Sequence, residues 1–235
     1  RILAIGNSFT MDALESHFAG ICQSTNKKVI FGWPYIGGTQ LSDHVANLQS
    51  HYAGYKYYKN VDYKTTTTSN TELMAAIKDE PWDYVVIQQG HYRAGVLEDY
   101  FPYVYDLVDS VKNNISNPTA KFIMFMTWAD DEGCTKAEFQ TYYNRDQMKM
   151  YEAVRDASVK VADSIHAVKI IPAATTMQNC RTTYIGQNMT RDGYHMNYDY
   201  GRYVLGLTWY ETIFEDSALH VTYKPAAISD NMAEL

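Results

Sequence analysis

The stretch Ile2-Leu3-Ala4-Ile5-Gly6-Asn7-Ser8-Phe9-Thr10-Met11 decides the fold. Four apolar residues without polar alternation read as a strand covered on both faces, and Gly6-Asn7-Ser8 supplies turn chemistry ahead of a helical pattern from Met11. The serine hydroxyl therefore sits where a strand becomes a helix. In open α/β sheets that carboxyl edge is where ligands bind, and helix N–H groups beside it can stabilise a developing negative charge.

The same rhythm recurs along the chain. Apolar β-rich runs lie at Val29 to Trp33, Tyr84 to Ile87, Phe122 to Met126 and Val168 to Ile171. Between them the pattern predicts helices over about 11–25, 41–51, 71–79, 97–114, 136–164 and 199–214, with Thr71 ahead of one and Pro118 behind another. The class predicted is α/β, a three-layer, doubly wound, flavodoxin-like fold with a five-stranded parallel sheet and helices on both faces. Right-handed crossovers would set the ends of all five strands along one rim. Residues 52–70, with Tyr-Lys alternation and four consecutive threonines, predict a hairpin or extended insertion at the surface, either a wall of the site or a solvated ribbon. After Phe214 periodicity fades, so 217–235 reads as a C-terminal extension of a single domain covering 1–235.

The chain has 235 residues, 46% hydrophobic and 20% charged, enough for one sizeable core. A formal net charge of −7 argues against nucleic acid or an anionic membrane as main partner, since those select clustered Lys and Arg. No apolar run approaches the roughly 18 to 20 residues that span a bilayer. Cys22, Cys134 and Cys180 are odd in number and widely spaced, which indicates neither a zinc module nor a disulfide framework and reads as buried free thiols. No cofactor is called for. A secreted or periplasmic location is favoured if a leader has been removed. The 21 tyrosines suit either stacking on sugars or packing in half-exposed sheets.

Serine becomes a nucleophile when a base lies within hydrogen-bond reach and a third group orients that base. Asp192-Gly193-Tyr194-His195, just before the last amphipathic helix, offers both, with His195 as general base and Asp192 as its orienting acid for Ser8. His17, His44, His51 and His166 fall in helical patterns and read as surface or packing residues. Asp130-Asp131-Glu132 reads as a solvated loop or helix start, and no metal is predicted. Arg181, after the fifth strand run, is a candidate to pair with a substrate carboxylate or a neighbouring acid.

Gly6-Asn7-Ser8-Phe9-Thr10 resembles the first block of the SGNH (GDSL-type) hydrolase superfamily, and Asp192-Gly193-Tyr194-His195-Met196-Asn197 resembles its last block, DGxHxN. The resemblance implies the three-layer fold and the roles given above to Ser8, His195 and Asp192. Gly37-Gly38-Thr39 is similar to the second block, which implies that the Gly38 N–H joins that of Ser8 in an oxyanion hole. The third block departs from the pattern, because Gln88-Gln89-Gly90-His91 stands where relatives carry GxND. A glutamine amide offers the same donor on a longer stem, so Gln89 or Gln88 is expected to complete the hole. The Gln-Gly pair is also similar to a segment of sialate O-acetylesterases and related carbohydrate acetylesterases.

The function expected is a serine esterase acting on short-chain, probable acetyl, esters of a carbohydrate or other small molecule. Rim loops carrying Trp33, Tyr35, His91, Tyr92, Arg93, Trp128 and Tyr194 would then contact the substrate, with Trp33, Tyr35, His91, Trp128 and Tyr194 as its binding residues. The alternatives are a non-catalytic carbohydrate-binding domain on the same fold, or an esterase or lipase for non-carbohydrate esters.

Overall fold

The computed structural model describes residues 1–233. Seven strands form one sheet: β1 (Ile2–Ile5), β2 (Phe31–Tyr35), β3 (Tyr55–Val61), β4 (Lys64–Thr71), β5 (Tyr84–Ile87), β6 (Lys121–Phe125) and β7 (Lys169–Ile171), in the order β4-β3-β2-β1-β5-β6-β7. The five apolar runs pair in parallel, with Ile2 opposite Phe31 and Tyr84, and Met124 opposite Ile170. The other two strands correct the expected count. Residues 52–70 form a hairpin that continues the sheet, as β3 runs antiparallel to β2 and β4 antiparallel to β3. Its β-branched threonines suit a pleated ladder, and β4, exposed along nearly all its length, carries Lys and Thr where a sheet edge must resist further pairing.

Helices cover both faces: α1 (Ser8–Leu14), α2 (Phe18–Ser24), α3 (Leu41–Gln49), α4 (Leu73–Lys78), α5 (Tyr103–Asn114), α6 (Ala137–Tyr143), α7 (Gln147–Ser164), α8 (Ala173–Arg181), α9 (Tyr200–Phe214) and α10 (Asp230–Ala233). Because strand side chains alternate, Leu3, Ile5, Val85, Ile87, Phe122 and Met124 pack under α3, α4, α5 and α7. Ile2, Ala4, Val86, Ile123 and Phe125 pack under α1, α2, α8 and α9 on the other side. Of the seven strands only the edge hairpin lacks this two-sided cover.

Three differences from the sequence reading have physical causes. The helix expected over 136–164 is two helices, because Asn144 and Arg145 adopt left-handed φ values of 57° and 54°, after which Asp146 caps α7 by accepting the Lys149 N–H. Helix α8 is absent from the sequence pattern altogether, because Thr175 and Thr176 lower its helix propensity. Finally, Tyr223 in the C-terminal segment hydrogen-bonds His17 and takes the Tyr203 hydroxyl on its carbonyl, which ties that segment onto α2 and α9. Residues 234–235 of the expected extension lie outside the described residues. Cys22, Cys134 and Cys180 are free thiols.

Candidate active site

The corner after β1 is built around Gly6. A Cβ there would lie 2.2 Å from Thr10 Oγ1 and 2.6 Å from Gln88 Cγ, so only glycine lets the strand end pass this close to its neighbours. Asn7 follows as the N-cap of α1, its Oδ1 accepting the Phe9 N–H at 3.0 Å and its Nδ2 donating to the Thr39 carbonyl at 2.9 Å. Asn7 is thereby stitched to the turn after β2, and Ser8 begins the helix with its hydroxyl at the sheet's carboxyl edge.

The second arm comes from the far end of the chain. Residues 190–196 form a tight loop closed by a bridge between Thr190 and Met196. Within it Asp192 Oδ1 accepts the N–H groups of Tyr194 and His195, and Oδ2 lies 2.7 Å from His195 Nδ1. The opposite ring nitrogen, Nε2, is 2.9 Å from Ser8 Oγ. Partial burial works to raise the Asp192 carboxyl, but the hydrogen bonds from the side chain and backbone of His195 outweigh it and hold the group below its ordinary range. An ionised Asp192 at neutral pH fixes the Nδ1–H tautomer and leaves Nε2 free to accept the serine proton.

The loop is held from the β6 side as well. Trp128 Nε1 donates to the Tyr194 carbonyl at 2.6 Å, Asp131 N donates to the Gly193 carbonyl at 2.8 Å, and the Thr190 hydroxyl donates to Asp131 Oδ2. Burial raises the Asp131 carboxyl despite hydrogen bonds from Thr190 and from Arg181, whose Nη2 reaches Oδ1 at 2.8 Å. These contacts correct one expectation and choose between two alternatives in another. Asp130 and Asp131 are buried rather than solvated, and Arg181 lies in α8 with the neighbouring acid as its partner. No group of three or more His, Cys, Asp or Glu placed to hold a metal occurs among the described residues.

Ser8 and His195 open onto a cavity of about 530 Å³ lined also by Tyr35, Gly38, His91, Tyr92, Tyr142 and Tyr194. Of the residues expected at the substrate, Tyr35, His91 and Tyr194 line it. His91 Nε2 is 2.5 Å from the buried Asp130 Oδ1. Trp33 and Trp128 do not reach the cavity. Trp33 stacks in the core between Phe31 and Tyr58, and Trp128 stacks on Phe9 at 4.2 Å, because both indoles sit on the inward face of their segments.

Gly38 lines the cavity with a φ of +74°, a conformation glycine adopts without strain. The two glutamines do not line it, which corrects their expected oxyanion role. Gln88 donates to Asn7 Oδ1 at 2.8 Å and to the Gln89 carbonyl at 3.1 Å. Gln89 donates to the Asp99 carbonyl and accepts from Leu41 N and Gly90 N. Both amides brace the loops that surround the serine. The sequence reading missed Gln40, Lys136, Glu138 and Tyr142 in the cavity wall. The last three flank or belong to α6, and the Asn144-Arg145-Asp146 break signals that separate helix.

No helix among the described residues is long and apolar enough to cross a membrane. The family described as "Domain of unknown function (DUF4886)" matches residues 1–235. No curated protein sequence matches the chain. Among solved structures, a DUF4886 family protein from Bacteroides uniformis ATCC 8492 is similar at 34% identity and a TM-score of 0.94, over 99% of this chain and 90% of that one. A candidate SGNH hydrolase from Slackia heliotrinireducens superposes with a TM-score of 0.63 at 21% identity, over 91% and 98% of the two chains. An acetylxylan esterase from Geobacillus stearothermophilus does so at 0.54 and 13%, over 88% and 91%. The mostly parallel sheet flanked by helices is thus the fold of SGNH hydrolases.

Proposed function

The chain belongs to the DUF4886 family, and we propose that it is a serine ester hydrolase that removes short acyl groups, acetyl above all, from carbohydrate. The observation that carries this reading is the continuous chain from Asp192 Oδ2 through His195 to Ser8 Oγ, with steps of 2.7 and 2.9 Å. Three side chains of these types, in this order and within hydrogen-bond reach, are what converts a hydroxyl into a nucleophile.

In the reaction Ser8 Oγ attacks the ester carbonyl as its proton passes to His195 Nε2, and Asp192 stabilises the resulting imidazolium. The tetrahedral oxyanion lies against the N–H groups of Ser8 and Gly38. A well-aimed donor of this kind contributes about 3 to 4 kcal/mol to the transition state. Collapse breaks the bond to the sugar oxygen, which leaves with the Nε2 proton, and acyl-Ser8 remains. Water then attacks the acyl carbon, its proton passing to Nε2 and on to Ser8 Oγ as the free acid departs.

The carbohydrate assignment rests on the cavity wall. Three tyrosines, Tyr35, Tyr142 and Tyr194, offer ring faces for stacking and hydroxyls for sugar oxygens, while Tyr92 lines the cavity with its hydroxyl buried. The cavity's size suits a sugar unit with a small acyl group rather than an extended lipid chain. The acetylxylan esterase with the same fold adds support at the level of architecture. We read 1–235 as one domain, with 52–70 as its edge hairpin and 217–235 as an extension.

The test is hydrolysis of a short-chain aryl ester, and acetate release from acetylated xylo-oligosaccharides, by the wild type beside Ser8→Ala and His195→Ala. Turnover in the wild type and a loss of at least about 10⁴-fold in both variants is expected. Equal rates in all three proteins would overturn the reading.

A further inference from the structure

Asp12 lies in α1 one helical turn beyond Ser8 and is 1% exposed. Its Oδ2 accepts the Met196 N–H at 2.9 Å, across 184 residues of sequence. That N–H belongs to the peptide unit that carries the His195 carbonyl. The other carboxylate oxygen accepts from Arg202 Nη2 in α9 at 2.6 Å and from Arg191 Nη1 at 3.2 Å. Arg191 in turn donates to the Met196 carbonyl, and its own N–H donates to the His195 carbonyl at 2.9 Å. Arg202 also reaches Glu15 and Ser16 in the same segment as Ser8, so two carboxylates and two guanidiniums balance.

We propose that Asp12 is a positioning residue of the Ser8–His195 pair: from the serine's own helix it grips the peptide that follows His195 and so sets the imidazole at hydrogen-bonding height above the hydroxyl. This inference rests on the nucleophile reading of Ser8. Helix α1 then carries both the attacking group and the clamp for its base, and the two move as one body. Both guanidiniums lie against the carboxylate, and hydrogen bonds that involve a charged partner are shorter and stronger than neutral ones. An acceptor that only relieved a buried N–H would matter for stability alone, whereas a clamp matters for the geometry of proton transfer, where misplacement by about 1 Å costs on the order of 10²-fold in rate.

Two double variants separate these cases by neutralising the buried charges together: Asp12→Asn with Arg202→Met, which keeps an oxygen for the Met196 N–H, and Asp12→Leu with Arg202→Met, which does not. The readout is the rate at which a fluorophosphonate labels Ser8, with thermal unfolding measured alongside. Labelling about 10²-fold slower in the leucine pair than in the asparagine pair, at comparable Tm, is expected. Equal labelling rates would overturn the proposal. If the leucine pair does not fold, Asp12→Asn alone decides the matter, since with Arg202 and Arg191 both still donating to the amide oxygen the NH₂ is turned to where the carboxylate received Met196. A fall of tenfold or more in kcat with KM within twofold supports the clamp, and an unchanged kcat removes it. A wild type that the probe leaves unlabelled overturns the nucleophile reading, and the clamp with it; labelled wild type with unaffected variants overturns the clamp alone.

Discussion

Gln88 donates from Nε2 to Asn7 Oδ1 at 2.8 Å and accepts the Thr10 hydroxyl on Oε1 at 2.6 Å, so a single amide touches the residues on both sides of Ser8-Phe9. Replacing it with alanine removes a partner from the Thr10 hydroxyl, the Gln89 carbonyl and Asn7 Oδ1, of which Asn7 Oδ1 keeps the Phe9 N–H. Gln88→Ala should lower stability by about 2 to 4 kcal/mol, from the unsatisfied groups and the cavity together. Denaturant unfolding checks this. The fall in kcat should stay below the roughly 10²- to 10³-fold that removal of an oxyanion donor produces. A variant of wild-type stability that has lost kcat on that larger scale would return Gln88 to the oxyanion.

Tyr35 and Tyr142 line the cavity without touching the catalytic chain, so their rings should act on sugar binding alone. Tyr35→Ala and Tyr142→Ala are each expected to raise KM for an acetylated oligosaccharide about tenfold, equivalent to roughly 1.4 kcal/mol, with kcat little changed. KM for a small aryl acetate, which does not span the wall, should stay near its wild-type value. Steady-state kinetics on the two substrates makes the comparison, and a parallel rise in both KM values would count against a sugar in this cavity.

His44 is buried in α3 with Nδ1 2.8 Å from the Tyr55 hydroxyl, and burial pulls its pKa down from 6.5 to about 4 despite the nearby Asp43. The folded value lies below the unfolded one, so the unfolded chain takes up the proton first as pH falls. The contribution of His44 is complete above pH 6.5 and is lost as pH drops toward about 4. The loss is on the order of 3 kcal/mol across that window. Urea unfolding at pH 7 and pH 4.5 should show a smaller difference for His44→Gln than for the wild type. Equal differences would place the acid sensitivity in other groups.

Much of this architecture is legible in residue order alone. Ile2 to Ile5 and its four parallel partners declare themselves because strands covered on both faces have no polar alternation to confuse them with helix. Ser8 stands out at a strand-to-helix corner, and Asp192 and His195 in a turn, at places that no packing need explains. The edge strands were less legible, since a half-exposed threonine ladder has little apolar signal with which to announce membership of a sheet. Side-chain direction was less legible still. Trp33 and Trp128 carry the right chemistry for a sugar site and face the core, while Gln88 and Gln89 carry the right amide and aim it elsewhere. Asp131 illustrates the same limit, because an acid in a run of acids reads as solvated until its partners Arg181 and Thr190, 50 and 59 residues on, fold against it. Type and spacing fix what a residue can do, but burial and partner choice are settled by distant chain.

The separation of 187 positions between Ser8 and His195 also carries a temporal consequence. During synthesis the hydroxyl leaves the ribosome long before the imidazole that would deprotonate it, and six of the seven strands of the sheet are made in between. A nascent chain therefore carries an inert alcohol at its corner. On the nucleophile reading proposed above, activation of Ser8 waits until the 190–196 loop docks against the first helix.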